Sequence, residues 1–176
     1  MVVGYRDLIT RTYVLLDRSS TGLRVHLDRL ATSRELVDGT VRGGLRGSVG
    51  SAGPERDLVG TYGGPVYLVS ERFIDVLRTH ELDGWRVEPC AVAGLQGGRL
   101  SLLQILGRAG RQWVWTGVDD DPIDSDPEPG DGLDFFLAEG SSRIYLSPRA
   151  ASTLDAARLR NVEVEPQDVV FLPRTG

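Results

Sequence analysis

Lysine is absent from this chain of 176 residues; all 20 of its cationic side chains other than histidine are arginine. That excludes Schiff-base chemistry and a lysine-bearing phosphate loop. All-arginine usage also reads as codon bias toward GC-rich DNA. Cysteine is nearly absent too. The single Cys90 cannot form an internal disulfide, which fits a reducing cytoplasm. Following Pro89 at a strand end, it reads as a small buried hydrophobe. The only histidines are His26 and His80, with no second His or Cys at ligand spacing, so no metal site is expected. His80 falls late in a helical segment, where a cation suits the dipole. No apolar run reaches membrane-spanning length, and the opening residues do not read as a secretory leader. A net charge of −5 disfavours nucleic-acid binding, which normally rests on a basic surface. What remains is 40 % hydrophobic, enough for the core of one domain spanning 1–176.

One pattern within it is written twice. The segment from Val66 to Pro89 returns from Arg143 to Pro166 at a constant offset, and between Ser70 and Pro89 seven of 20 aligned positions are identical. Chance would give roughly one or two. Val66-Tyr67-Leu68-Val69 and Ile144-Tyr145-Leu146 are short apolar runs, as expected of strands covered on both faces. Ser70 and Ser147 then stand where a helix N-cap belongs. Glu71 suits the positive end of the helix dipole, and Pro148 suits a first helical position. Apolar residues follow at helical spacing, at Phe73, Ile74 and Leu77 and at Ala150, Ala151 and Leu154. Gly84 and Asn161 are the expected left-handed stops. Alternating strands follow, 85–88 and 162–165, ended by Pro89 and Pro166. The expected fold class is α+β. Its mixed β-sheet carries two repeated strand-helix-strand units, 66–89 and 143–166, as halves of one sheet-and-helix layer.

Elsewhere, 11–17 and 23–27 read as strands. Residues 39–64 hold nine of the chain's 22 glycines and little apolar content, which reads as a Gly-rich connector. Within it, Gly47, Gly50 and Gly53 lack the spacing of a dinucleotide fingerprint. Residues 100–106 and 112–116 read as a hairpin across Gly107-Arg108-Ala109-Gly110.

The stretch 119–134 carries eight carboxylates and no base, so the rest of the chain is net positive. Asp124, Asp126 and Glu128 begin like a calcium loop, but Pro129 stands where glycine is required. Two readings stand: a solvated, self-repelling loop, or a docking surface for a basic partner, formed by Asp119, Asp120, Asp121, Asp124, Asp126 and Glu128. Trp113 and Trp115 share one face of their strand, as core or as interface. Arg72 and Arg149, equivalent in the repeat, read as braces onto a carboxylate or carbonyl, with a joint phosphate clamp as the alternative.

Gly64-Pro65-Val66-Tyr67-Leu68-Val69-Ser70-Glu71-Arg72-Phe73-Ile74-Asp75-Val76-Leu77, followed by Gly84-Trp85 and Glu88-Pro89, resembles the immunity protein 11 family and its relatives. These small bacterial proteins accompany polymorphic toxins. Asp134-Phe135-Phe136-Leu137, followed by Arg143-Ile144-Tyr145-Leu146-Ser147, carries the same resemblance, which spans 62–90 and 133–170. The second copy departs from the pattern in having Ser147-Pro148-Arg149. The resemblance implies a non-enzymatic, cytoplasmic immunity protein without cofactors that binds and neutralises a cognate toxin, with no catalytic residues to carry over. The alternatives are a small-ligand-binding domain or small enzyme using the crevice at the repeat strand ends, with Arg72, Arg149, Glu71 and His80 as its groups, or a subunit of a larger complex.

Overall fold

The computed structural model describes residues 10–18, 22–28, 32–54, 56–62, 64–113, 132–139 and 142–172. Among these, eleven strands and three short helices overturn the α+β expectation. The chain is predominantly β, and its strands close into two barrels rather than one mixed sheet. The strands are β1 (Thr10–Asp17), β2 (Arg24–Leu27), β3 (Leu45–Ser51), β4 (Leu58–Thr61), β5 (Gly64–Ser70), β6 (Trp85–Ala93), β7 (Leu100–Ile105), β8 (Gly107–Trp113), β9 (Phe135–Glu139), β10 (Ile144–Leu146) and β11 (Val162–Leu172). The helices are α1 (Ser33–Val37), α2 (Glu71–Thr79) and α3 (Pro148–Ala156). One barrel runs β2-β3-β6-β7-β5-β4 and the other β1-β10-β9-β8-β11.

The two sequence copies sit in different barrels, so they are not halves of one layer. They share a register. Val59 pairs with Leu68 in the first barrel, and Phe136 with Tyr145 in the second. β5 and β6 do not pair with each other; β7 lies between them, antiparallel to both. In the second barrel β1 takes the place of β7. Leu102 pairs with Leu68 and Glu88, and Val14 pairs with their equivalents Tyr145 and Glu165. The strand completing the second copy therefore comes from the beginning of the chain.

Two further expectations fail for physical reasons. The Gly-rich connector 39–64 contains β3 and β4. Its glycines permit close approach: a Cβ on Gly47 would lie 2.6 Å from the His26 carbonyl oxygen across the β2–β3 ladder. The hairpin across 107–110 is absent because those residues begin β8, which runs parallel to β9 in the other barrel. A Cβ on Gly107 would collide with the Phe135 carbonyl, so only glycine lets the chain cross there.

The helices follow local rules more closely. Ser70 and Ser147 cap α2 and α3, accepting the N–H of Phe73 at 3.2 Å and of Ala150 at 3.1 Å. The stops come earlier than expected. Gly84 and Asn161 are left-handed, at φ 81° and 66°, yet the helices end before Glu81 (φ 50°) and Arg158 (φ 47°). At α2 the Leu82 N–H donates to the Leu77 carbonyl at 3.0 Å and the Glu81 N–H to that of Arg78 at 3.1 Å, a Schellman closure that buries Leu82.

A large apolar core joins both barrels and takes Phe73, Ile74 and Leu77 from α2 and Ala150, Ala151 and Leu154 from α3. Along the second barrel alternate residues divide. Leu15, Phe135, Leu137, Ile144 and Leu146 face this core, while Val14, Phe136, Ala138, Tyr145 and Ala109 form a smaller one. Fully buried Gln104 ties the first barrel to α1, donating to the carbonyls of Leu36 (3.2 Å) and Val41 (2.9 Å) and accepting from Arg86 (2.8 Å).

Candidate functional site

Each copy builds the same polar clasp where its first repeat strand meets its helix. In the first, buried Asp57 accepts the Ser70 hydroxyl at 2.8 Å, the Arg72 guanidinium at 3.1 Å and the Arg160 backbone N–H at 2.7 Å. In the second, buried Asp134 accepts the Ser147 hydroxyl at 2.6 Å, Arg149 through Nε at 3.1 Å and also through Nη2, and the Asp83 N–H at 3.1 Å. The clasps are crossed. Residue 160 lies in the second copy and serves the first; residue 83 lies in the first and serves the second. The arginines also reach across: Arg72 donates to the Ala157 carbonyl and Arg149 to that of Glu81, each at 3.2 Å. Both arginines are therefore braces, onto a carboxylate and a carbonyl together.

The electrostatics of the second clasp follow from these contacts. Burial by itself would raise the Asp134 pKa. The bonds from Arg149, Ser147 and the Asp83 N–H outweigh it, and the carboxyl is held below the usual aspartate range.

Beside the first clasp lies a cleft of about 280 Å³. Arg56, Arg72, Arg99 and Arg160 line it, with Asp57 just before β4, Ser70 and Glu71 at the start of α2, and Leu23, Leu95 and Leu100 as apolar wall. Arg56 is anchored by donating to Asn161 Oδ1 at 2.7 Å. Its guanidinium fills the space that a side chain at Gly22 would need. Arginine forks are suited to phosphate and carboxylate. Arg149 does not line this cleft, so it and Arg72 form no joint clamp there.

The other sequence-predicted residues fall elsewhere. Asp119, Asp120, Asp121, Asp124, Asp126, Glu128 and Trp115 lie outside the described residues. Trp113 ends β8, its backbone opposite Val170; its side chain also lies outside the description. Asp134, counted with the acidic run, is instead a buried clasp residue. His80 is the exposed C-cap of α2, apart from the cleft lining. His26 stacks on Tyr62 with ring centroids 4.0 Å apart. Cys90 is buried; desolvation, then the nearby Asp28 charge, pushes its thiol up to about 11. Among the described residues no group of three or more His, Cys, Asp or Glu is placed to hold a metal. Nor is any described helix long and apolar enough to cross a membrane.

Sequence reasoning missed Asp57, Arg56, Arg99 and Arg160. One signal was available. Continuing the ungapped offset upstream of the strands aligns Asp57-Leu58-Val59 with Asp134-Phe135-Phe136. The arginines carry no such mark, because 56, 99 and 160 meet only through barrel closure. No protein-family model matches the chain, and no curated protein matches it.

Proposed function

We propose that this protein acts by binding rather than catalysis, as a cytoplasmic immunity protein that engages and neutralises a cognate toxin domain. One observation supports the binding half of this reading: among the described residues, the groups nearest to a catalytic constellation are consumed by the fold. An aspartate 2.8 Å from a serine hydroxyl has the spacing of an activated nucleophile. Here the Ser70 oxygen also accepts a helix N–H, and the Asp57 oxygens already take donors from Arg72 and Arg160. The same holds in the second copy, which makes both sets architectural. The toxin half rests on the resemblance of 62–90 and 133–170 to the immunity protein 11 family. Both stretches contain residues of both clasps.

Affinity capture of the tagged protein from its own host, with mass spectrometry, tests the reading. A single stoichiometric partner with a C-terminal toxin domain, whose toxicity is relieved by co-expression, is the expected result. An empty capture, or a toxin partner whose toxicity persists, would refute it. The acidic run is the candidate contact surface, with Trp113 and Trp115 beside it. Reversing Asp119, Asp120, Asp121 and Asp124 should slow association with that partner and flatten its salt dependence. Unaltered kinetics would remove the run from the interface.

A further inference from the structure

We propose that the cleft bounded by Arg56, Arg72, Arg99 and Arg160 is a binding site for a small oxyanion ligand, a phosphate or a dicarboxylate. The site stands apart from the toxin reading. The internal duplication supplies the control. Whatever the clasp requires should be present in both copies, and Asp57, Ser70 and Arg72 have their counterparts in Asp134, Ser147 and Arg149. Arg56 and Arg160 have none. Their equivalents are Leu133 and Asp83. The first clasp uses the backbone N–H and carbonyl of residue 160 and no atom of its side chain, whereas the second also uses the Asp83 carboxylate, which accepts the Asp134 N–H at 2.9 Å. The first clasp thus makes no use of the Arg160 side chain, yet residue 160 lines the cleft.

The charge balance points the same way. Four arginines line the cleft against two acidic residues, and Asp57 is already engaged by Ser70, Arg72 and the Arg160 backbone. Among the described residues the guanidinium groups of Arg99 and Arg160 meet no carboxylate. The start of α2 adds its positive end to the same space. Leu23, Leu95 and Leu100 supply a wall for a short carbon skeleton. At about 280 Å³ the cleft suits a small ligand rather than a peptide segment.

Calorimetric titration of the full chain at low ionic strength, with inorganic phosphate in one arm and succinate in the other, tests the site. Saturable one-site binding of either probe is expected, and the tighter arm names the group. Arg160→Asp and Arg56→Leu each install the residue of the other copy. Each should weaken that binding about tenfold or more, the loss expected for a charge-assisted bond. The unfolding midpoint of Arg160→Asp should not fall, since the equivalent Asp83 carboxylate accepts the Asp134 N–H in the second clasp. Should Arg56→Leu lower its midpoint through Asn161, Arg160→Asp decides alone. Absence of saturable binding of both probes below about 10 mM, or binding by Arg160→Asp equal to the parent, overturns the proposal. Neither result bears on whether a toxin is captured.

Discussion

Asp134 connects a single carboxyl group to acid stability. An unfolded aspartate titrates near 3.9. The folded group is the stronger acid, so its contribution is fully present above about pH 4–5 and lost as pH falls through the folded pKa. Asp134→Asn should cost about 1–3 kcal/mol at pH 7. It should also make the midpoint fall less steeply with acid when unfolding is followed by circular dichroism. An acid limb as steep as that of the parent would contradict this account. Cys90 offers a second test. With its thiol at about 11, roughly one molecule in a thousand is thiolate at pH 8. A disulfide reagent should label the native protein far more slowly than the denatured one, and equal rates would place the thiol at the surface.

At the scale of elements, the helix ends separate local rules from tertiary demands. Ser70 and Ser147 are ordinary caps that also donate into the clasps, so Ser70→Ala and Ser147→Ala should each cost more than the roughly 1 kcal/mol of a lone cap. Chemical denaturation gives that number, and a loss well below it would make the clasp hydroxyl dispensable. Glu81 is exposed and left-handed, a conformation that costs a residue with a Cβ about 1 kcal/mol. Glu81→Gly should therefore raise the melting temperature by about 2–4 °C. A fall would show that the Glu81 side chain contributes more than its backbone strain. Gly107→Ala tests the crossing between barrels. The added methyl meets the backbone of Phe135, which cannot swing away, and a loss of about 1–3 kcal/mol is expected in the same denaturation assay.

Across the whole molecule, the second barrel is completed from the chain's beginning. β1 pairs with β10 and with residues 162–169 of β11, so segments far apart in sequence close one barrel. A chain starting at residue 19 should lose hydrogen-exchange protection in β9, β10 and β11 while β5, β6 and β7 keep theirs. Retained protection in β9–β11 would mean the barrel closes without β1. The crossed clasps tie the two units, since each aspartate takes a backbone N–H from the other copy.

By itself the sequence determined what depends on neighbours a few residues apart. The serine caps, the apolar stripes of α2 and α3, and the strands at 66–69 and 144–146 follow from short-range spacing and burial pattern. The repeat was legible for the same reason, as was the role of Arg72 and Arg149 as braces. Only the tertiary structure decided which strands pair. Pairing is set by closure between residues distant in sequence, and no local pattern says that β1 rather than β8 completes the second copy. Glycine misled in the same way. Between 39 and 64 it signals a turn locally, but in the barrel it is the residue that lets strands approach. The arginine cleft belongs to this second class, because Arg56, Arg99 and Arg160 become neighbours only when both barrels have closed.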